Sequence, residues 1–190
     1  MIMVHTIMMP MSERERITII ITVAWTGTVC TNPPMVYISV RPQRYSYDIL
    51  DETGEFVINL TTKELARATD YCGVRSGRDV DKFKETGLTA VEATKVKAPL
   101  IAEAPVNIEC RITEKKELGS HHMFLAEVLA VHVDEKYLDE NGKFQLNKSG
   151  LIAYSHGEYL DLGKEIGTFG YSVKKKTKKP QKRRKKKAQR

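Results

Sequence analysis

TVAWTGTVCTNPPMVYISVRPQRYSY, residues 22–47, decides how the rest of the chain is read. It reads as strand, loop, strand, loop. The β-branched run Ile17 to Thr22, continued by Val23, has strand chemistry, as does the alternating Val36-Tyr37-Ile38-Ser39-Val40. Between them, Trp25-Thr26-Gly27-Thr28 and Thr31-Asn32-Pro33-Pro34 are expected to break the strands, because Gly and paired prolines favour turns and remove backbone donors. Arg41-Pro42-Gln43-Arg44-Tyr45-Ser46 is then a basic, hydroxyl-rich loop entering a helix.

This layout suits a flat aromatic ligand that carries a phosphate. Small residues and a Gly let a ring lie against backbone amides. Trp25 would wall the ring, and Arg41, Arg44, Tyr45 and Ser46 would hold an anion near a helix start. The same residues also make a plain Gly/Pro turn between two strands with solvated arginines, and composition alone favours that plainer reading.

The chain has 190 residues, the length of one domain with a substantial core. Hydrophobic residues make up 41% and charged residues 29%, ordinary values for a soluble globular protein. The longest apolar run, Ile17 to Trp25, is broken by two threonines and falls short of the roughly 20 residues of a membrane span. The net charge of +7 is misleading. Residues 174–190 hold 12 of the 31 basic residues and no acid, which leaves 19 basic against 24 acidic residues in a mildly acidic body. That tail, KKKTKKPQKRRKKKAQR, is too polar to bury a core and is expected to be disordered on its own. It suits electrostatic contact with RNA, DNA or another polyanion, without the aromatics that stack on bases.

Cys30, Cys72 and Cys110 form no CxxC and leave one thiol over, which points to reduced cysteines and a cytoplasmic setting. No metal spacing is present. The adjacent His121 and His122 would point to opposite faces of a strand. Met1 to Met11 lacks the charged start and apolar stretch of a secretory signal.

Along the chain, Ser46–Thr53, Thr62–Tyr71 and Asp79–Thr86 are expected to be short helices, the second capped by Thr61 or Thr62 and the third closed by Gly87. Phe56–Leu60, Val91–Ala93, Pro105–Thr113, His122–Asp134 and Leu151–Tyr154 are expected strands. In the third of these, Val106, Ile108, Cys110 and Ile112 alternate with Asn107, Glu109 and Arg111, the pattern of a half-buried sheet. Glu117–Ser120, Asn141-Gly142 and His156–Tyr159 are turns. Many strands in hairpin-like succession with a few short helices predict a mainly β, mostly antiparallel barrel.

The run T-V-A-W-x-G…P-P-x-x-x-I-S-V-R-P-x-R-Y-S-Y resembles the flavin reductase-like family, the FMN-binding split-barrel proteins that include flavoredoxin. Three later segments resemble the same family in the same order: Gly54–Leu60, then Cys72-Gly73-x-x-Ser76-Gly77-Arg78-x-x-Asp81-Lys82-Phe83, then Gly119-Ser120-His121-x-x-Phe124-x-x-Glu127-Val128. The resemblance spans about Thr22 to Val173. It implies a split β-barrel with Greek-key connections over residues 17–173, between a divergent segment 1–16 and the basic tail 174–190. Family members usually open with a strand and a Gly- or Asn-rich turn, where this chain has Met8–Arg16.

The resemblance also implies site residues. The flavin ring would lie against Thr22, Val23, Ala24, Trp25, Thr26, Gly27, Asn59 and Leu60. The phosphate would be held by Arg41, Arg44, Tyr45 and Ser46 on one loop and by Ser76, Gly77 and Lys82, with Phe83 beside them, on another. Arg78-Asp79-Val80-Asp81-Lys82 reads equally well as a solvated helix start with self-paired charges. His121 resembles the His of the family's Gly-Asp-His motif, a contact on the nicotinamide side, but Ser120 replaces the usual Asp. The chemistry would belong to FMN, reduced by NADH or NADPH and reoxidised by an electron acceptor, with no catalytic side chain required. The Gly-rich end, Tyr154 to Tyr171, resembles the part of the family that packs across a homodimer interface. Two alternatives stand beside this reading: an FMN-carrying electron-transfer protein without nicotinamide activity, and a nucleic-acid-binding protein acting through the basic tail.

Overall fold

The computed structural model describes residues 2–3, 5–9 and 18–174. The expectations for most of the basic tail and for residues 10–16 lie outside the described residues. In chain order the elements are β1 (Ile2–Met3), β2 (His5–Met9), β3 (Ile19–Val23), β4 (Thr26–Thr31), β5 (Pro34–Val40), α1 (Tyr45–Thr53), β6 (Glu55–Leu60), α2 (Ala66–Val74), α3 (Lys82–Thr86), β7 (Ala90–Val91), β8 (Leu100–Ile101), β9 (Val106–Leu118), β10 (His121–Val133), β11 (Ile152–Ser155) and β12 (Glu158–Asp161).

Seven strands make one sheet in the order β3-β2-β6-β9-β10-β5-β4, each neighbour antiparallel. Segment 1–16 therefore does supply a strand: β2 sits between β3 and β6, with His5 opposite both Val23 and Leu60. The sheet's two edge strands, β3 and β4, are consecutive in the chain and joined by the bend at Ala24-Trp25.

The uninterrupted apolar run of β3 has a simple cause, since both of its faces are covered. Ile19, Ile21 and Val23 enter the main core with Ile7, Ile38, Phe56 and Phe124. Ile20 points the other way, into a second core with Val57, Cys72, Val96, Ala98 and Ile101. α1 plugs the main core with Tyr47, Ile49 and Leu50 and stops at Gly54, whose φ of 68° is the left-handed conformation that suits a glycine.

Several expectations change. The helix expected from Asp79 begins only at Lys82, because Asp81 caps it by accepting from the Phe83 and Lys84 amides. Thr26-Gly27-Thr28 does not end a strand; it begins β4, paired from Thr26↔Ile38 to Thr31↔Pro34, and the break falls earlier, at Ala24-Trp25. Tertiary pairing overrides the turn propensity of Gly27, whose missing Cβ leaves room for the Tyr37 ring (an added Cβ would sit 2.9 Å from Cε1). α2 starts at Ala66, not Thr62, because Thr62 is taken by a bridge to Leu151. The alternation of β9 does not mark a solvated face in its first half: Asn107 and Glu109 are buried, covered by the segment 94–104.

Glu109 is the centre of that covering. It is fully buried and accepts from the amides of Thr94 (2.9 Å), Lys95 (2.6 Å) and Val96 (3.0 Å), from the Thr94 hydroxyl (2.8 Å), and meets His132 Nε2 at 2.5 Å. Burial alone would raise its pKa. The hydrogen bonds from Thr94, His132 and Lys95 outweigh burial and bring it down to about 2. The carboxylate thus clamps the 94–97 loop, and the second core behind β3, in place.

Candidate functional site

Two connected clefts run along the open edge of β3. The first, about 220 Å³, is lined by Thr22, Val23, Ala24 and Trp25 from the end of β3 and the bend, by Ser39 and Val40 from β5, by Arg41 and Arg44 from the loop after it, and by His121. The outer edge of β3 has no strand partner in its sheet, so alternate backbone groups face this cleft. The bend is strapped down by Ser39 N–H donating to the Trp25 carbonyl at 2.8 Å. That bond fixes the backbone while the indole stays half exposed.

His121 opens β10 after the Gly119-Ser120 turn. Its ring lies 4.0 Å from that of Trp25, tilted by 32°. Ser120 Oγ sits 3.0 Å from His121 Nδ1. Burial first, then the charge of Arg41, hold the imidazole below its ordinary pKa, so it is neutral at pH 7.

The second cleft, about 150 Å³, shares Ile21 and Arg44 with the first and mixes the apolar Ile19, Ile20 and Ile21 with cationic and hydroxyl side chains. Tyr45 and Ser46 from the start of α1 line it with Ser76, Gly77 and Lys82. Gly77 is required by space: an added Cβ would stand 3.0 Å from Ile19 Cδ1 and 3.4 Å from the Tyr45 ring. The Arg78 guanidinium lies 5.0 Å over the Tyr45 ring, and its backbone N–H donates to Ser76 Oγ.

Lys82 is buried, with Nζ donating to the carbonyls of Ile20 and Cys72, both at 2.7 Å. Burial pushes its pKa down to about 8, the Cys72 thiol opposes that shift, and the charge of Arg44 adds to it. An ammonium has three donors, so one remains for the cleft. Lys82 therefore ties the α2 end to β3 as well as lining the pocket. Arg44 makes a second tie, donating to the Gly73 carbonyl at 3.3 Å.

The structure thus brings together Thr22, Val23, Ala24, Trp25, Arg41, Arg44 and His121, and next to them Tyr45, Ser46, Ser76, Gly77 and Lys82. Other expected residues stand elsewhere. Asn59 and Leu60 line a separate small void with Thr69 and Ile101, two strands away from Val23. Asn59 is spent on structure: its Oδ1 accepts from Ile101 N–H at 3.1 Å and its Nδ2 donates to the Val57 carbonyl at 3.2 Å. Thr26 donates to the Tyr37 carbonyl in the β4–β5 ladder, and Gly27 packs under Tyr37. Phe83, by contrast, stands beside Lys82: it lines a cleft of about 500 Å³ that shares Ile19, Ile20, Gly77 and Lys82 with the second cleft.

Sequence reasoning missed Ser39, Gln43 and Arg75. Among the described residues there is no group of His, Cys, Asp and Glu fit to hold a metal ion, and no helix long and apolar enough to cross a membrane.

Comparison with known proteins follows this geometry. The flavin reductase like domain matches residues 3–163. An uncharacterized protein of Archaeoglobus fulgidus is 32% identical over 139 residues, covering 73% of this chain and 77% of its own. Among solved structures, flavoredoxin of Desulfovibrio vulgaris (Miyazaki F) aligns with a TM-score of 0.83 at 30% identity, covering 91% of this chain and 93% of that one. A putative flavin reductase with split barrel domain from Shewanella frigidimarina NCIMB 400 aligns with a TM-score of 0.78 at 20% identity, over 90% and 86% of the two chains, a likeness of fold. The seven-stranded sheet is therefore a split β-barrel.

Proposed function

The chain belongs to the flavin reductase-like family, and from that premise we propose that it binds FMN along the β3 edge and moves electrons from NADH or NADPH to an acceptor. The observation that carries this reading is the pairing of the two clefts: a flat one walled by Trp25 and edged by backbone, opening across Arg44 into a cationic one.

The residues fit the group. The flat cleft offers strand-edge amides and an aromatic wall, and the second one offers the hydroxyls of Ser46 and Ser76, the Arg44 guanidinium and the third donor of Lys82, a set suited to a phosphate monoester.

Bound flavin would supply the redox chemistry, taking up a hydride and passing electrons on. The chain's own work is positioning. Backbone at Thr22 to Trp25 would fix the plane of the ring. Trp25 and His121 would cover one end of it and exclude water. Arg44, Ser46, Ser76 and Lys82 would anchor the phosphate and so set how far the ring reaches. His121, neutral at pH 7, offers a hydrogen bond rather than a charge.

The flavoredoxin likeness favours a second reading, an FMN carrier reduced by a protein partner without nicotinamide turnover of its own. A homodimer and a cytoplasmic setting go with either reading, the latter supported by three free thiols. The test is the visible spectrum of the desalted protein before and after anaerobic addition of NADH or NADPH. A flavin band that bleaches supports the reductase; a band that persists supports the carrier; FMN that washes away and leaves nicotinamide oxidation unchanged overturns both.

A further inference from the structure

We propose that Tyr47 and His122, which line neither cleft, are positioning residues for the site. The hydrogen bond between them fixes the start of β10 against α1 and so sets where His121 stands over Trp25, at the ring end of the flavin. This rests on the flavin reading above. The Tyr47 hydroxyl and His122 Nδ1 are hydrogen-bonded at 2.6 Å across 75 residues of chain. Each residue is one position past a site residue. Ser46, before Tyr47, lines the second cleft, and His121, before His122, lines the flat one. Successive residues of a strand face opposite ways, so while His121 turns to Trp25 at 4.0 Å, His122 turns in to Tyr47.

The strand ladder is why His121 needs such a hold. The β5–β10 pairing ends at His122↔Val40. His121 lies one residue beyond it and, among the described residues, pairs in the sheet with Leu118 alone, beside the Gly119-Ser120 turn. Val40 itself lines the flat cleft. What pins His122 therefore pins the last rung before His121. Tyr47 is suited to that work. It is buried, and its ring meets those of His122 and Phe124 edge-on, with centroids 5.3 and 5.5 Å away, so the phenol has little freedom to turn aside. Lys115 on β9, whose ammonium lies 5.8 Å from the centre of the Tyr47 ring, makes another tie to α1 through Asp51 at 2.8 Å. Both of its partners stand partly in water, where such a pair contributes little. The Tyr47–His122 bond is more enclosed, and the cost of leaving one of its partners unmet keeps it made.

The test uses the full chain. Tyr47→Phe removes only the hydroxyl, His122→Leu removes its partner, and His122→Asn keeps a polar atom where Nδ1 stands. The double variant Tyr47→Phe/His122→Leu lacks the bond and orphans neither group, so it should fold even where a single variant does not. Acrylamide quenching of Trp25 emission, read in the FMN-free protein, reports how well His121 covers the indole. FMN affinity and the visible circular dichroism of bound FMN report how the ring is seated. In Tyr47→Phe, His122→Leu and the double variant, quenching should rise and the dichroism should change. FMN should bind up to about tenfold more weakly, the most that one ordinary hydrogen bond contributes. His122→Asn should keep most of the parent's values. In a His121→Gln background the same substitutions should leave quenching level, because His121 is the route. A lowered thermal midpoint with parent-like quenching and dichroism overturns the proposal, since the bond then serves stability alone. A rise in quenching that persists in the His121→Gln background overturns the route through His121. A rise that depends on His121, in a protein that takes up no FMN, supports the hold on His121 while overturning the flavin reading.

Discussion

The indole of Trp25 and the imidazole of His121 stack with their centroids 4.0 Å apart, joining the end of β3 to the start of β10 across the flat cleft. Trp25 is the chain's single tryptophan, so its emission reports on this contact alone. Protonated imidazole quenches a neighbouring indole. Because burial and the charge of Arg41 hold His121 below the ordinary histidine value, the fall in emission on acidification should be centred below that value. A pH titration of the fluorescence checks this. His121→Gln should flatten the curve, and a fall centred above pH 6.5 contradicts the geometry.

Lys82 gives a second pH signature. Burial leaves its pKa at about 8 in the folded protein, and a phosphate prefers the charged amine. FMN affinity should therefore be level between about pH 6.5, above the phosphate's second pKa of about 6, and pH 8, and decline as pH rises past 8, because binding must first restore a proton to Lys82. Lys82→Met should weaken FMN by about tenfold to a hundredfold at pH 7, the worth of one hydrogen bond from a charged donor, and remove the alkaline limb. Fluorescence titrations of FMN at several pH values decide it.

Glu109 governs acid stability. Its folded pKa, about 2, lies below the unfolded carboxyl value, so its contribution is fully present above about pH 4.5 and is lost as pH falls from there toward 2. Glu109→Gln should lower stability at pH 7 by about 1–3 kcal/mol, since it leaves the Thr94 to Val96 amides facing a neutral group that brings its own N–H. Denaturant midpoints between pH 7 and pH 2.5 measure both effects; a parent and variant with the same slope through pH 4 contradict this role.

Much of the fold and half of the site are legible in the chain, for reasons that differ by residue. Trp25, Arg44, Ser46 and Lys82 stand in two of the four ordered motif segments, and local chemistry delivers them to neighbouring clefts. Asn59 stands in such a segment as well, but its side chain answers to Ile101, 42 positions away, a partner that no local pattern announces. Glu109 reads as one more polar residue on an alternating strand until the 94–97 loop is seen to lie over it. The start of β4 was hidden because a Thr-Gly-Thr triplet has turn chemistry unless a ladder partner such as Ile38 overrules it.

Gly73 tests how tightly the site's wall is built. A Cβ there would stand 3.2 Å from Thr22 Cβ, and Thr22 cannot easily retreat because its Oγ1 donates to the Thr69 carbonyl at 2.5 Å. Gly73→Ala should thus destabilise the protein by about 1 kcal/mol, crowding outweighing the gain in helix propensity. Thermal unfolding checks it, and a raised midpoint contradicts the contact.

The central claim is that FMN binds against Trp25, and titrating FMN into the protein while following the tryptophan emission tests it most directly. Emission should fall saturably to a 1:1 end point as the flavin's own fluorescence is quenched over the same range, with Lys82→Met shifting both curves together. Tryptophan emission that stays constant, once corrected for flavin absorbance, while added FMN keeps its full free fluorescence contradicts the account.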